Sequence, residues 1–178
     1  KIHLVGFSLG ALIARHFAAT HGNRLNSLIL HGSIYKRSKE QKRIVENRYE
    51  LIKTGKPIAK ERSLRRWFTE DYIKNNKEVY DKIYLMLDEN NHNNWLKAYK
   101  LFVYYKDDDQ MLSKINTNTL VTTGQHDIGS TTDMAINLTE NIKGAKYRDI
   151  KNGKHLCSIE CDEDFNKVVE LFVDQNYE

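Results

Sequence analysis

Apolar positions along the chain follow two rhythms, one of short continuous runs and one of three-and-four spacing. A first run, Ile2-His3-Leu4-Val5, reads as a strand and is followed by a helical stretch from Ala11, in which Leu12, Ile13 and Phe17 share a face. Gly22 is placed to stop that helix, and Leu28-Ile29-Leu30 reads as a second strand. Strand, helix and strand in so few residues imply a right-handed crossover and therefore a parallel pair.

From Ile34 to Tyr105 the strand rhythm disappears. Four amphipathic stretches take its place: Val45, Tyr49 and Ile52; Leu64, Trp67 and Phe68; Val79, Ile83 and Leu87; Trp95, Tyr99 and Phe102. Gly55-Lys56-Pro57, Asn75-Asn76 and Asn90-Asn91 punctuate them, and the asparagine-rich segment Asn90 to Asn94 reads as a loop. Strand character returns at Thr119 to Thr123 and at Tyr147 to Ile150. A helix is expected around Asp133 to Lys143, and a closing helix carries Phe165, Val168, Val169 and Phe172. The expectation is an α/β fold with a parallel sheet, built from residues 1–33 and 111–178, interrupted by an all-helical insertion over 34–110.

Between the first strand and the first helix lies Gly6-Phe7-Ser8-Leu9-Gly10. A serine can be presented on a sharp strand-to-helix turn when its neighbours at minus two and plus two lack side chains, and this is the nucleophile-elbow pattern. The plainer alternative is a glycine-rich connection whose serine caps the next helix. Phosphate-binding loops are excluded, because neither G-x-G-x-x-G nor a Gly-Lys-Ser/Thr element occurs.

Parallel strands end on one edge of their sheet, so residues just beyond them converge there. Ser8 follows the first strand, Asp127 follows the third in Gly124-Gln125-His126-Asp127, and His155 follows the last in Gly153-Lys154-His155. Ser, His and Asp together support nucleophilic catalysis. Taken singly, each has a plainer alternative: Asp127 as a turn residue before Gly129, or as an electrostatic partner of a next helix capped by Ser130, and His155 as an exposed loop histidine. The other six histidines, His31 among them, are read as structural.

Composition narrows the classes. Twenty-eight basic and 24 acidic residues are interspersed, and the net charge of +4 describes a solvated surface rather than a nucleic-acid footprint. No apolar run approaches the roughly 18 residues of a membrane span. Cys157 and Cys161 form neither a disulfide framework nor a C-x-x-C pair and fit a reducing cytoplasm; with His155 they lack the matched spacing of a zinc site.

The order Ser, Asp, His is that of the α/β-hydrolases. The chain resembles that superfamily through Gly6 to Gly10, Leu120 to Ser130 and His155 to Glu160. More narrowly it resembles the 3-oxoadipate enol-lactonase and carboxylesterase branch, through Arg66-Trp67-Phe68-Thr69, Met86-Leu87, Tyr99-Lys100-Leu101-Phe102 and the Asp127-Ile128-Gly129-Ser130 element. The resemblance implies a parallel-sheet hydrolase fold with the helical insertion as a cap. It implies Ser8 as nucleophile, His155 as base, Asp127 as its orienting acid, the Leu9 backbone N–H as one oxyanion donor, and Trp67 and Phe68 as substrate-binding residues. Helix-packing roles for those two aromatics stand beside that implication.

The activity implied is hydrolysis of a small-molecule carboxylic ester or lactone without metal or organic cofactor, in the cytoplasm, with no nucleic-acid or membrane partner. Carbon–carbon bond hydrolases and cofactor-free haloperoxidases share the triad, whereas a haloalkane dehalogenase would need a carboxylate where Ser8 stands. A non-catalytic ligand-binding or signalling member of the fold is the alternative. The superfamily places further strands before its nucleophile strand, with an early loop carrying the second oxyanion N–H. The chain is therefore expected to be the C-terminal portion of the fold, with an exposed first strand and little activity alone.

Overall fold

The computed structural model describes residues 1–55 and 59–176. Lys56 and Pro57 of the expected Gly-Lys-Pro break lie outside them. The chain divides into two compact units, one of Lys1–Tyr35 with Asp108–Glu178, the other of Lys36–Asp107.

In the first unit, β1 (Ile2–Phe7), β2 (Leu25–His31), β3 (Asn118–Gly124) and β4 (Lys146–Ile150) form a parallel sheet in chain order. The β2 and β3 strands lie in the middle and are buried nearly throughout, which is why both read as apolar runs without alternation. The outer strand β1 leaves Ile2 and Val5 about half exposed. The helices of this unit are α1 (Leu9–His21), α7 (Asp109–Leu112), α8 (Thr132–Glu140), α9 (Cys157–Glu160) and α10 (Asp162–Asp174). A single 3₁₀ turn, Gly22–Arg24, links α1 to β2.

Ile29 and Leu120 lie side by side in the sheet and pack under Phe172 of α10, flanked by Val168, Val169 and Val173. Leu28, Leu30 and Val121 point to the opposite face. There α1 approaches so closely that a Cβ on Gly6 would stand 2.7 Å from the Ala14 Cβ and 2.7 Å from the Gly10 carbonyl oxygen. Each fully buried aliphatic side chain of this core is worth about 1.5–3 kcal/mol.

The second unit holds α2 (Lys39–Lys53), α3 (Lys60–Trp67), α4 (Glu70–Asn75), α5 (Lys77–Asp88) and α6 (His92–Val103). Four of these carry the four expected stripes. The short α4 was not anticipated; Thr69 starts it by accepting from the Tyr72 N–H at 3.2 Å. The expected Asn90 to Asn94 loop is shorter than read, because Asn91 accepts from the Asn94 N–H at 3.1 Å and α6 already begins at His92. Ser38 and Gln41 form a reciprocal capping box at the start of α2.

Inside this unit Leu64 and Phe68 are fully buried, and Phe68 stacks on Tyr72 at 5.0 Å. Trp95, Tyr99 and Phe102 stack along α6, with Tyr49 of α2 beside Tyr99. The two ends of the unit are clasped. The Lys36 N–H donates to Asp107 at 2.8 Å, and the Arg37 guanidinium donates to the Phe102 and Val103 carbonyls while lying 4.5 Å over the Phe102 ring.

Candidate active site

Ser8 sits between β1 and α1 at φ 52°, ψ −115°, a backbone conformation sterically unfavourable for a residue with a side chain. Its N–H donates to the His31 carbonyl at 2.9 Å, tying the turn to the end of β2. Ser8 precedes α1, yet its hydroxyl makes no capping bond to that helix. The Oγ lies instead 3.1 Å from His155 Nε2. Leu9 opens α1, so its N–H belongs to the first turn, where no intrahelical acceptor exists.

His155 Nδ1 lies 2.6 Å from Asp127 Oδ2. The other oxygen, Oδ1, accepts from the N–H groups of Gly129 at 2.8 Å and Ser130 at 3.1 Å. The turn role and the partnership with histidine therefore coexist on one carboxylate. The cap of α8 is Thr131, which accepts from the Met134 N–H, and not Ser130. Burial, the largest influence on Asp127, would raise its carboxyl. The bond to His155, the His155 charge and the Ser130 and Gly129 N–H groups outweigh it and hold the group below its ordinary range.

The loop carrying His155 is pressed against β3. A Cβ on Gly124 would stand 2.2 Å from the Lys154 carbonyl oxygen and 2.5 Å from that of Gly153, and backbone cannot move aside as a side chain can. Gly124→Ala is accordingly expected to destabilise the fold by about 3 kcal/mol or more, read as a lowered midpoint in urea denaturation. A midpoint unchanged from that of the parent would show that the loop yields at no cost.

Close to these three residues lies one read from sequence as merely structural. His31 is 1% exposed, with Nε2 3.6 Å from the Sγ of buried Cys157. Burial first, then the His155 charge, lowers its pKa to about 4, against smaller raising influences of Asp127 and the Thr122 backbone. Burial likewise pushes the Cys157 thiol up to about 12, so the two meet as neutral groups. Cys157 and Cys161 are free thiols.

A neutral His31 has a consequence for acid stability. In the unfolded chain the ring protonates near 6.5, but in the folded one only near 4, so acid favours the unfolded state between those values. The stabilisation is complete above about pH 6.5 and is lost as pH falls towards 4, a change of about 3 kcal/mol. Asp127 acts in the same direction lower down, its contribution fading as pH drops through its depressed value. Denaturation midpoints between pH 7 and 4 check this, and His31→Phe removes the upper part of the decline. A midpoint flat across that interval would mean His31 is protonated when folded.

The structure thus brings Ser8, Asp127 and His155 together within one unit. Trp67 and Phe68 belong to the other; there Trp67 is half-buried and Phe68 wholly buried on Tyr72. Sequence reasoning missed Phe7 and Gly32, which lie beside the His155 ring, and His31, which stacks on Phe7. Among the described residues no three His, Cys, Asp or Glu side chains gather as a metal set, and no helix is long and apolar enough to cross a membrane.

Comparison with known proteins meets this geometry. Residues 1–161 match the alpha/beta hydrolase fold family, and the chain belongs to that family. It is 27% identical over 177 residues to the (E)-2-((N-methylformamido)methylene)succinate hydrolase of Acinetobacter baylyi, across 97% of this chain and 65% of that protein. Among solved structures, the enol-lactonase of Burkholderia xenovorans superposes with a TM-score of 0.83 at 25% identity, over 96% of this chain and 64% of that one. A thermophilic esterase from Thermogutta terrifontis gives 0.85 at 24% identity, over 100% and 66% respectively. The chain thus spans just under two thirds of the length of these relatives.

Proposed function

We propose that the protein is a serine hydrolase of a small-molecule carboxylic ester or lactone. One observation carries the reading: Ser8 on a strained turn is hydrogen-bonded to His155, which is hydrogen-bonded to a buried, ionised Asp127. The 27% identity to a protein named as a hydrolase and the 25% identity to an enol-lactonase support the same chemistry.

In this reading His155 Nε2 takes the Ser8 proton as Oγ attacks the carbonyl carbon. The Leu9 N–H faces the oxyanion of the tetrahedral intermediate. As that intermediate collapses, His155 returns the proton to the departing alkoxide, leaving Ser8 acylated. Water activated by His155 then releases the carboxylic acid. In a lactone the alkoxide remains tethered to the acyl group, and the product is a single hydroxy acid or its keto form. Asp127 holds the Nδ1–H tautomer and stabilises the imidazolium. The free thiols fit a cytoplasmic setting.

The test is a burst assay on the full-length protein with p-nitrophenyl acetate and butyrate, with acyl-Ser8 identified by mass spectrometry. The expected result is one nitrophenolate per active site before turnover. Folded protein that gives neither a burst nor a Ser8 adduct with a fluorophosphonate would overturn the reading and favour a ligand-binding member of the family.

A further inference from the structure

Four aromatic rings stand in line from the closing helix to the reacting imidazole. Phe165 of α10 lies 4.7 Å from His31, His31 stacks on Phe7 at 5.2 Å and 27°, and Phe7 meets His155 at 5.0 Å and 39°. The sheet register produces the middle contact, because Phe7 and His31 are direct partners at the ends of β1 and β2. Gly32 follows at φ 57°, and a Cβ there would stand 3.2 Å from Phe7 Cε2 and 3.4 Å from His155 Cε1. The His155 ring thus has a carboxylate on one nitrogen, a hydroxyl on the other, and a wall of ring and backbone beside it.

Hydrogen bonds at its two nitrogens leave an imidazole free to rock about the line joining them. Contact with the ring itself removes that freedom, and here the contact is Phe7, held in turn by His31. The Nε2 of His31 also approaches Cys157, two residues beyond His155, so the same side chain touches both the wall and the segment that carries the base.

We propose that His31 is a positioning residue for His155, the middle member of a ring column that holds Phe7 against the reacting imidazole. The proposal rests on the reading of Ser8, Asp127 and His155 as a triad. His31 itself is an uncharged ring at neutral pH, sealed from solvent, and exchanges no proton with substrate. Its pairing with Cys157 is no second nucleophilic centre, since that thiol stays protonated.

The test compares His31→Ala and His31→Phe in the full-length protein. Both are scored for fold by circular dichroism, for the rate of Ser8 labelling by a fluorophosphonate, and for kcat and KM on p-nitrophenyl butyrate. Misplacement of a reacting group by about 1 Å costs about 10²-fold, so His31→Ala is expected to lose roughly that in labelling and kcat with little change in KM. The ring-conserving His31→Phe recovers most of the loss. A purely structural role would lower the thermal midpoint of the alanine variant and leave its labelling rate intact.

Phe165→Leu, at the far end of the column, gives a smaller loss of the same kind and serves if the alanine variant does not fold. Independently of activity, the imidazole proton shared by His155 and Asp127 is followed as a low-field NMR resonance, assigned by its loss in His155→Gln. It stays sharp in His31→Phe and broadens in His31→Ala, or in Phe165→Leu when that variant serves. Were the unsubstituted protein never labelled at Ser8, the hydrolase reading would fall while this resonance still tested the column. A sharp resonance and parent-like labelling in His31→Ala would overturn the proposal, as would His31→Phe being as impaired as His31→Ala.

Discussion

Ser8→Ala is expected to abolish covalent labelling by fluorophosphonates and to lower kcat by a factor on the order of 10⁶, with thermal stability unchanged or raised. The Oγ is bonded to His155 and caps nothing, so its removal deletes chemistry without orphaning a helix end. The residue at this turn stands at φ 52° by the demands of the elbow. Alanine inherits that strain and only the hydroxyl is lost. Alanine protein that retained the burst would mean another group is acylated, and the role of Ser8 would have to be abandoned.

Asp127→Asn has the second largest expected effect, a fall of about 10⁴ in kcat with the fold retained. The asparagine oxygen can still accept from the Gly129 and Ser130 N–H groups, so the turn survives. Its amide nitrogen then faces His155 Nδ1 as a donor and forces that atom to accept. The imidazole proton moves to Nε2, where it opposes proton uptake from Ser8. Single-turnover labelling with a matched urea midpoint measures the effect. A rate within tenfold of the parent would reduce Asp127 to its turn role.

Much of this site was legible because strand ends and short glycine-flanked turns are local patterns. Leu28-Ile29-Leu30 and Leu120-Val121 read as buried strands because helices cover both their faces, and topology alone then carries Ser8, Asp127 and His155 to one edge. What stayed hidden depends on register or on very short elements. The contact of His31 with Phe7 exists only because β1 and β2 pair with those residues opposite each other. The α4 helix has six residues and α9 four, too few to show a stripe. The start of α6 was masked by asparagines that read as breakers, although one of them is its cap.

The clasp that joins Lys36 and Arg37 to Phe102, Val103 and Asp107 bears on how the sheet is made. Adjacent strands β2 and β3 are separated in the chain by the whole helical unit, a long detour for a parallel pairing. Once the helices have assembled from their local contacts and the clasp has shut, the path between the two strands shortens roughly fivefold, which recovers about 1.5 kcal/mol of closure entropy. In that case the helical unit acts as a folded spacer that brings the ends of the two central strands within short reach, the saving being largest when local helix contacts form before the non-local strand pairing.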